Sequence, residues 1–418
     1  MRGWARPARI RASPAHGGTS RSVRTNRARK PMPDAEMFNE AWNTASNNLF
    51  YGALIAYLVG MVGYFFRMAY THVGPDGTQA TSPIGRRVGL AATVVTVGGA
   101  AAHLVSIVLR GLAAGRAPWA NMYEYSSGLA FLVVVIGLIV LQRRYGYTHV
   151  VGFVIALAVL IMAGGLMLYA APDPLQPSLQ SWWIRVHVSA AMVASSIFTV
   201  AFVATALYLV KDTAERRLAE RSGQAFGGST VGAANVDGPS GRPEDEVAID
   251  ADAPMVAPAT AQREVLGLWP FLVVPAVIVA GYVLAVWQAP VAAVISGGVA
   301  ALLGGSLRYA VPYLPAAAQL DNVAYRTVAF AFPIWTFAVI AGAIWAEEAW
   351  GRYWGWDPKE TASFVTWVFY AGYLHARATR GWRGRGAAWI GVVSFIALVV
   401  TFYAVNLFVV GLHSYAGV

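Results

Sequence analysis

The chain has 418 residues, of which 57% are hydrophobic and 12% are charged. Because a soluble domain carries about 25% charged residues, this composition excludes a soluble globular protein and predicts an all-α, polytopic integral membrane protein. The formal net charge of +10 does not indicate a nucleic-acid partner, since nine basic residues and no acid lie within the first thirty positions. The lack of cysteine excludes disulfides, thiolate metal sites and thiol–disulfide exchange within this chain.

Residues 1–48 precede the first apolar run. The first thirty are rich in Arg and Ser and have no apolar core, which excludes a secretory signal peptide. Two interpretations remain: a basic disordered leader, such as a transit peptide or a surface tail, or an over-long start with the true initiator at Met32 or Met37. We favour the over-long start.

Ten apolar runs are long enough to cross about 30 Å of hydrocarbon, which predicts about ten transmembrane helices. The first five lie within 49–210, and the last three belong to a transmembrane core over 321–418. Between them, residues 266–310 contain three prolines and predict an extra transmembrane hairpin, tilted or re-entrant. The runs are 49–71, 87–110, 126–142, 147–170, 184–210, 266–287, 290–310, 327–346, 361–378 and 387–412.

Residues 211–265 connect the fifth and sixth runs. Over about 219–262, Gly, Ser, Pro, Ala and acidic residues dominate, and aromatic residues are almost absent. Such a segment cannot bury enough apolar surface to fold, so we predict a disordered cytoplasmic linker.

Basic residues in short loops set the orientation, because they concentrate on the cytoplasmic side. In the ten-helix arrangement all four basic clusters fall on one side. This predicts a multi-pass protein of the bacterial plasma membrane, with the loop at 111–125 and the C terminus on the outer face. The clusters are Arg67 with Arg86 and Arg87, Arg143 with Arg144, Lys211 with Arg216 and Arg217, and Arg377 with Arg380, Arg383 and Arg385.

A tryptophan-rich segment separates the eighth and ninth runs. It reads WAEEAWGRYWGWDPKE over 345–360. Tryptophan suits a membrane interface, but four within twelve residues predict an external hairpin with a flat aromatic surface for a large planar ligand. The four are Trp345, Trp350, Trp354 and Trp356. Asp357 and Glu360, on either side of Pro358 and Lys359, also fit the N-cap and N3 positions of a helix start, so both are open to a purely structural interpretation.

This segment resembles the tryptophan-rich WWD signature of the haem-handling protein superfamily, and its surroundings are similar to the CcsA/ResC family (CcsB in actinobacteria) of cytochrome c biogenesis. The similarity is close over 321–418 and looser over the second to fifth helices. It implies that the chain binds haem b, moves or receives it across the membrane, and presents it at the outer face to apocytochrome c.

The resemblance also implies the partners. The haem would be attached to the CxxCH motif of apocytochrome c in system II maturation, together with a ResB-like membrane subunit. No residue of this chain looks like a nucleophile or a general base. The chain would therefore be a subunit of a haem lyase complex, with no catalytic residue of its own identified.

Two of the seven histidines lie at outer helix ends in the predicted topology. These are His187, at the start of the fifth helix, and His413, at the end of the tenth. A lone histidine there is usually an interfacial residue, but both positions match the family's two external haem ligands. The resemblance therefore implies that both bind iron as neutral imidazoles, with Trp183 one turn before His187 and Asp357 beside the site.

A third histidine, His375, lies about 21 Å below the outer surface if its helix starts at Thr361. An ionisable group at that depth is a candidate functional residue. It matches the family's intramembrane histidine, which implies iron ligation in a second haem site shared with the partner. Whether His103, the other histidine at depth, contacts haem stays open. The remaining histidines, His16, His72 and His149, are expected to be ordinary surface residues.

The segment GRAPWANMYEYSSG over 115–128 resembles a loop of the same family that contains PxxNxYE. Trp119 is predicted to stack on the ligand, and Asn121 and Glu124 to donate or accept hydrogen bonds. An Asn-x-x-Glu capping box explains the same spacing equally well.

Two rival functions remain from the residues alone. One is a b-type cytochrome that passes electrons to quinone, which needs two histidine pairs inside the helical bundle. Only His103 and His375 lie at such depth. The other rival is a transporter with an aromatic lid, which would need no iron.

Overall fold

The computed structural model describes residues 40–73, 79–172, 175, 179–222, 259–287, 290–379 and 382–413. The predicted leader up to residue 39 and linker residues 223–258 lie outside these ranges. The helices are α1 (Glu40–Ala69), α2 (Pro83–Ala114), α3 (Met122–Gly137), α4 (Val151–Met167), α5 (Trp182–Ser222), α6 (Ala259–Glu264), α7 (Leu268–Trp287), α8 (Pro290–Ala310), α9 (Ala317–Trp350), α10 (Pro358–Ala378), α11 (Arg385–Val399) and α12 (Val405–Phe408).

Short irregular elements complete the helices. A π-helical turn over Leu138–Arg144 continues α3, and another over Val400–Ala404 joins α11 to α12. A 3₁₀ turn, Val311–Tyr313, follows α8. Between α1 and α2, strands β1 (Thr71–Val73) and β2 (Gln79–Thr81) pair antiparallel.

The predicted all-α membrane fold is confirmed. Each of the ten apolar runs coincides with a described helix. Six stretches of the described chain are long and apolar enough to cross a membrane: α1, α2, α3 with its π turn, α5, α9, and α11 through α12. The apolar parts of α4 and α7 are shorter. The predicted count of ten spans is therefore not confirmed.

Helix α5 lies at the centre of the bundle and packs most extensively on α9, with further contacts to α3 and α11. The face of α9 toward the core carries small, fully buried residues, including Ala331, Ala338 and Ala341. Small residues let two helix backbones approach closely. Phe198 of α5 stacks on Tyr370 of α10 with 3.6 Å between ring centroids, and its edge meets Trp335 of α9 at 6.4 Å. The α5–α9 pair carries the candidate site at one of its ends.

Two predicted boundaries are wrong. Helix α1 begins at Glu40, so residues 40–48 of the predicted leader belong to the first helix. There the Ser46 hydroxyl donates a hydrogen bond to the Ser106 carbonyl of α2 over 2.8 Å. Helix α5 continues to Ser222, well past the end of its apolar run.

The extension of α5 is held by polar contacts that a search for apolar runs does not detect. The buried Asp212 carboxylate pairs with Arg216 one turn later, at 2.8 Å, and with Arg385 of α11, at 2.9 Å. The Lys211 ammonium donates to the Gln262 side chain over 2.9 Å and to the Val311 carbonyl over 3.1 Å. Both ends of the predicted linker, 211–222 and 259–265, are therefore packed structure.

Candidate functional site

Helix α9 carries the first two tryptophans of the tryptophan-rich segment. It continues through Trp345 and Trp350 and ends at Gly351, whose φ of 69° is the left-handed conformation that favours glycine. The predicted external hairpin is therefore reduced to the loop 351–357. Trp354 and Trp350 cannot share a helical face, because the helix ends between them.

The helix start predicted at Asp357 is confirmed. Glu360 accepts hydrogen bonds from the N–H groups of Gly355, over 2.8 Å, and Asp357, over 3.1 Å. The Asp357 carboxylate accepts in turn from the Lys359 N–H over 3.3 Å. This capping box fixes the start of α10 against the loop that carries Trp354.

Asp357 has a second role that the capping box does not explain. One carboxylate oxygen lies 2.7 Å from Nδ1 of His413, and the other accepts from the Leu412 N–H over 2.8 Å. A side chain at Gly411 would collide with this carboxylate, since an added Cβ would lie 2.7 Å from it. Asp357 therefore ties the chain beyond α12 to the start of α10 and orients the His413 imidazole.

The charge states of this pair suit a metal ligand. Burial lowers the pKa of His413 to about 4, assisted by the nearby Lys359 ammonium, so the imidazole is neutral at physiological pH. Burial alone would raise the pKa of Asp357, but the hydrogen bonds from Leu412 and His413 outweigh it and lower the pKa below its ordinary value. Neutral Nδ1–H then donates to the carboxylate, and Nε2 is the ring nitrogen that could bind a metal.

His187, near the start of α5, is held in the same manner by backbone. Its Nδ1 lies 2.7 Å from the carbonyl oxygen of Ala338 in α9. Gly342 makes this approach possible, because a Cβ at that position would lie 2.7 Å from Nδ1 and 2.8 Å from Cε1. Both imidazoles are thus oriented through Nδ1, and Nε2 is in each case the ring nitrogen that could bind a metal.

Trp345 contacts both imidazoles. Its ring lies nearly parallel to that of His187, with 6.3 Å between centroids, and edge-on to His413 at 5.6 Å. Trp350 lies 4.9 Å from His413 and 4.8 Å from Trp345. Trp183 packs in the same buried cluster. These three tryptophans form an aromatic wall around the imidazoles, and Trp345 is the member that faces the cavity beside them.

The other two tryptophans lie apart from this wall. Trp354 and Trp356 are perpendicular, with an interplanar angle of 88° at 5.8 Å, and both pack on Phe364 of α10. Trp356 is 65% exposed and has a φ of 58°, a strained conformation for a bulky residue. The expectation of one flat aromatic surface is therefore wrong, since the segment splits into two clusters. Trp354 still reaches a small pocket that both histidines also line.

A cavity of about 730 Å³ opens beside the two histidines. This volume falls within the roughly 300–1,000 Å³ typical of cofactor and ligand sites. Its wall includes both imidazoles, Trp345, Trp119 and Lys359. The cavity therefore joins the loop after α2 to the ends of α5, α9 and α10.

The predicted loop after α2 lies on the cavity wall through Trp119. Asn121 caps α3 by accepting from the Glu124 N–H over 2.9 Å, which confirms the N-cap of the predicted capping box, whereas the Glu124 carboxylate accepts from the Ala120 N–H over 3.0 Å. The buried Glu124 carboxylate pairs with Arg110 at 3.1 Å and Arg116 at 2.7 Å. Glu124 thus anchors the loop and is not directed at a ligand.

The remaining histidines lie elsewhere. His103 is fully buried in α2, and its two ring nitrogens lie within hydrogen-bond distance of Tyr57, at 3.3 Å, and Ser127, at 3.0 Å. Both ring nitrogens of His103 are therefore within hydrogen-bond distance of protein side chains. His375 lies in the last turn of α10 with an exposed side chain, on the outside of the bundle.

Sequence reasoning missed three groups at the site. The Ala338 carbonyl is a backbone atom and gives no side-chain signal. Gly342 is one of many glycines, and only the packing of α5 on α9 shows its role. Lys359 could have been found, because it follows Asp357 in the same helix start.

Comparisons with known proteins identify the family of this chain. A model of the family described as "Cytochrome C assembly protein" matches residues 119–413. The chain is 34% identical over 334 residues to "Cytochrome c biogenesis protein CcsA" of Synechococcus elongatus, which covers 77% of this chain and 86% of that protein. The protein of the same name from Microcystis aeruginosa is 32% identical over 316 residues, or 73% and 81% of the two chains. The chain therefore belongs to the CcsA family of cytochrome c assembly proteins.

Proposed function

We propose that this chain binds haem b at the outer membrane face between His187 and His413, and presents it for covalent attachment to apocytochrome c. One observation carries the proposal: each imidazole donates its Nδ1–H to a fixed acceptor, the Ala338 carbonyl or the Asp357 carboxylate, at 2.7 Å. Histidines that bind metals almost always have such an acceptor behind them, and it fixes both ring orientation and tautomer.

The donor set fits a porphyrin better than a free metal ion. Among the described residues there is no group of three or more His, Cys, Asp or Glu that could hold a metal ion. A porphyrin brings four nitrogens of its own, so two imidazoles complete six-coordinate iron. Trp345 and Trp119 line the cavity and would supply aromatic surroundings for such a ligand.

The residues of this chain would then hold, orient and shield the haem. His187 and His413 would hold the iron through neutral imidazoles, and the tryptophans that line the cavity, Trp345 and Trp119, would exclude water from the haem. The CxxCH peptide of apocytochrome c would replace one imidazole and bring its thiols to the haem vinyl groups, where each S–H would add across a vinyl double bond. Thioether formation then depends mainly on proximity and orientation, which this site supplies without a nucleophile or a general base.

The proposal includes the partner and the orientation in the membrane. The basic clusters support a cytoplasmic position for the opposite ends of the helices, which puts His187 and His413 outside. The exposed side chain of His375 supports a role at a surface shared with a ResB-like subunit, as part of a second haem site, since it is turned away from the cavity of this chain. In this arrangement haem would reach the outer site through the complex with the ResB-like subunit, as in system II cytochrome c maturation.

A b-type oxidoreductase is the weaker alternative. It would need pairs of free imidazoles within the bundle, whereas His103 is hydrogen-bonded through both nitrogens and His375 is exposed. A transporter with an aromatic lid would not need the two oriented imidazoles at all.

An optical spectrum of the full chain, purified with its membrane partner, tests the proposal. We expect a Soret band and, on reduction, low-spin α and β bands. The pyridine haemochrome assay of the same preparation should identify haem b. A preparation without haem that still supports transport of another substrate would overturn the proposal. Rapid reoxidation by a quinone analogue would favour the oxidoreductase instead.

Gly342→Ala is expected to weaken haem binding, while the higher helix propensity of alanine partly offsets the cost of moving the His187 ring. The added Cβ would displace the His187 imidazole from the Ala338 carbonyl, and loss of a ligand-orienting contact typically costs on the order of 10- to 100-fold in affinity. Within a helix, replacing Gly by Ala otherwise stabilises by about 1 kcal/mol. The measurement is haem content per protein together with the thermal unfolding midpoint.

The matched control is Gly372→Ala in α10, where no atom lies within 4 Å of the added Cβ. It should retain wild-type haem content. Equal haem content in the two variants would mean that the position of the His187 ring does not matter for binding.

A further inference from the structure

Lys359 is a cation in the wall of the haem cavity. Its side chain extends from the first turn of α10 and lines both the large cavity and the smaller pocket, each time together with His187 and His413. Among the described residues it forms no salt bridge with an acidic side chain. The nearby Asp357 is occupied by Leu412 and His413. The Lys359 ammonium is half-buried and has no carboxylate in direct contact, so an anion in the filled cavity would be favoured beside it.

The ammonium is held in place by Asn406 of α12. Its Nζ donates to the Asn406 Oδ1 over 2.9 Å. The Asn406 amide nitrogen in turn donates to the Phe402 carbonyl over 2.6 Å and lies 3.0 Å from the Met122 sulfur, which fixes the amide orientation. An ammonium has three N–H donors, and Asn406 is the one acceptor that the described chain provides. The other donors are available to a ligand carboxylate in the cavity.

The other two cations of the cavity are less suited to this role. Arg116 is already paired with the buried Glu124 carboxylate through two nitrogens, at 2.7 and 3.2 Å. Arg185 lies on the cavity rim with an exposed side chain, where water screens its charge. Of the three cations, Lys359 is therefore the half-buried one whose ammonium still has N–H donors available to a ligand.

We propose that Lys359 binds a propionate carboxylate of haem and thereby orients the porphyrin with its propionate edge beside α10. The inference rests on the proposed function and adds an orientation to it. Haem carries its two propionates on one edge and its vinyl groups away from that edge. Fixing a propionate at Lys359 would therefore turn the vinyl groups away from α10.

The test compares haem with its dimethyl ester, in which both propionates are neutral. Each is titrated into the full chain with its partner, and binding is followed at the Soret band. We expect the wild type to prefer haem by on the order of tenfold or more, since a hydrogen bond to a charged group is worth about 1.5–3 kcal/mol. Lys359→Met should bind the two porphyrins equally, and Lys359→Arg should keep much of the preference.

Arg326→Met is the matched control, because it removes a cation from the exposed face of α9 outside the cavity. It should leave the preference unchanged. A Lys359→Met variant that keeps the wild-type preference would overturn the inference, and so would a loss of affinity equal for both porphyrins, which would indicate a purely structural lysine.

The failures of the two proposals are distinguishable. A wild type that binds both porphyrins equally through two imidazoles overturns only the role of Lys359. A wild type that gives no low-spin haem spectrum overturns the proposed function, and the role of Lys359 with it.

Discussion

Replacing His187 or His413 by alanine is expected to abolish cytochrome c maturation and to remove most bound haem, while the protein still inserts into the membrane. Each imidazole would supply one of the two axial ligands, so either change leaves iron with an open position. We expect the loss to be chemical because both histidines lie near helix ends, His187 at the start of α5 and His413 beyond the end of α12. Haem content and the yield of mature cytochrome c are the measurements.

Added imidazole should partly restore both quantities, since it can enter the cavity and occupy the vacant axial position. His72→Ala provides the control, because His72 is exposed in β1, away from the site. Full maturation in either alanine variant without imidazole would contradict axial ligation. A loss that imidazole cannot restore, with normal insertion, would indicate that the ring is needed for packing against Trp345.

The helices could be predicted from the sequence because apolar runs of membrane length need no tertiary information. Their ends could not. The extension of α5 to Ser222 depends on the Asp212–Arg216 ion pair and on the docking of α6 through Lys211 and Gln262. Such contacts between charged and polar residues have no signature in a hydropathy pattern.

The candidate ligands were identified from motifs, but their arrangement depends on the fold. His413 and Asp357 lie 56 positions apart in the chain, and only the return of the segment after α12 to the start of α10 brings them within 2.7 Å. The division of the tryptophans into two clusters follows from the end of α9 at Gly351, a boundary that the sequence segment leaves ambiguous.

Asp357→Ala is expected to lower haem affinity on the order of 10- to 100-fold and to destabilise the protein by about 1 kcal/mol. The first effect follows from the loss of the acceptor that orients His413, as for other groups behind metal-binding histidines. The second follows from the loss of the α10 N-cap. Haem titration and the unfolding midpoint measure the two effects separately.

Ser82→Ala is the matched control, because Ser82 caps α2 by accepting from the Gly85 N–H over 3.2 Å and lies outside the cavity wall. It should lower stability by a similar amount and leave haem affinity at the wild-type value. Asp357→Asn should bind haem with an affinity between those of Asp357→Ala and Ser82→Ala. The amide can still accept from the Leu412 N–H, but it lacks the charge that holds the His413 Nδ1–H. If Asp357→Ala lost stability alone, Asp357 would act only as a helix cap. His413 would then be oriented by its packing against Trp345 and Trp350.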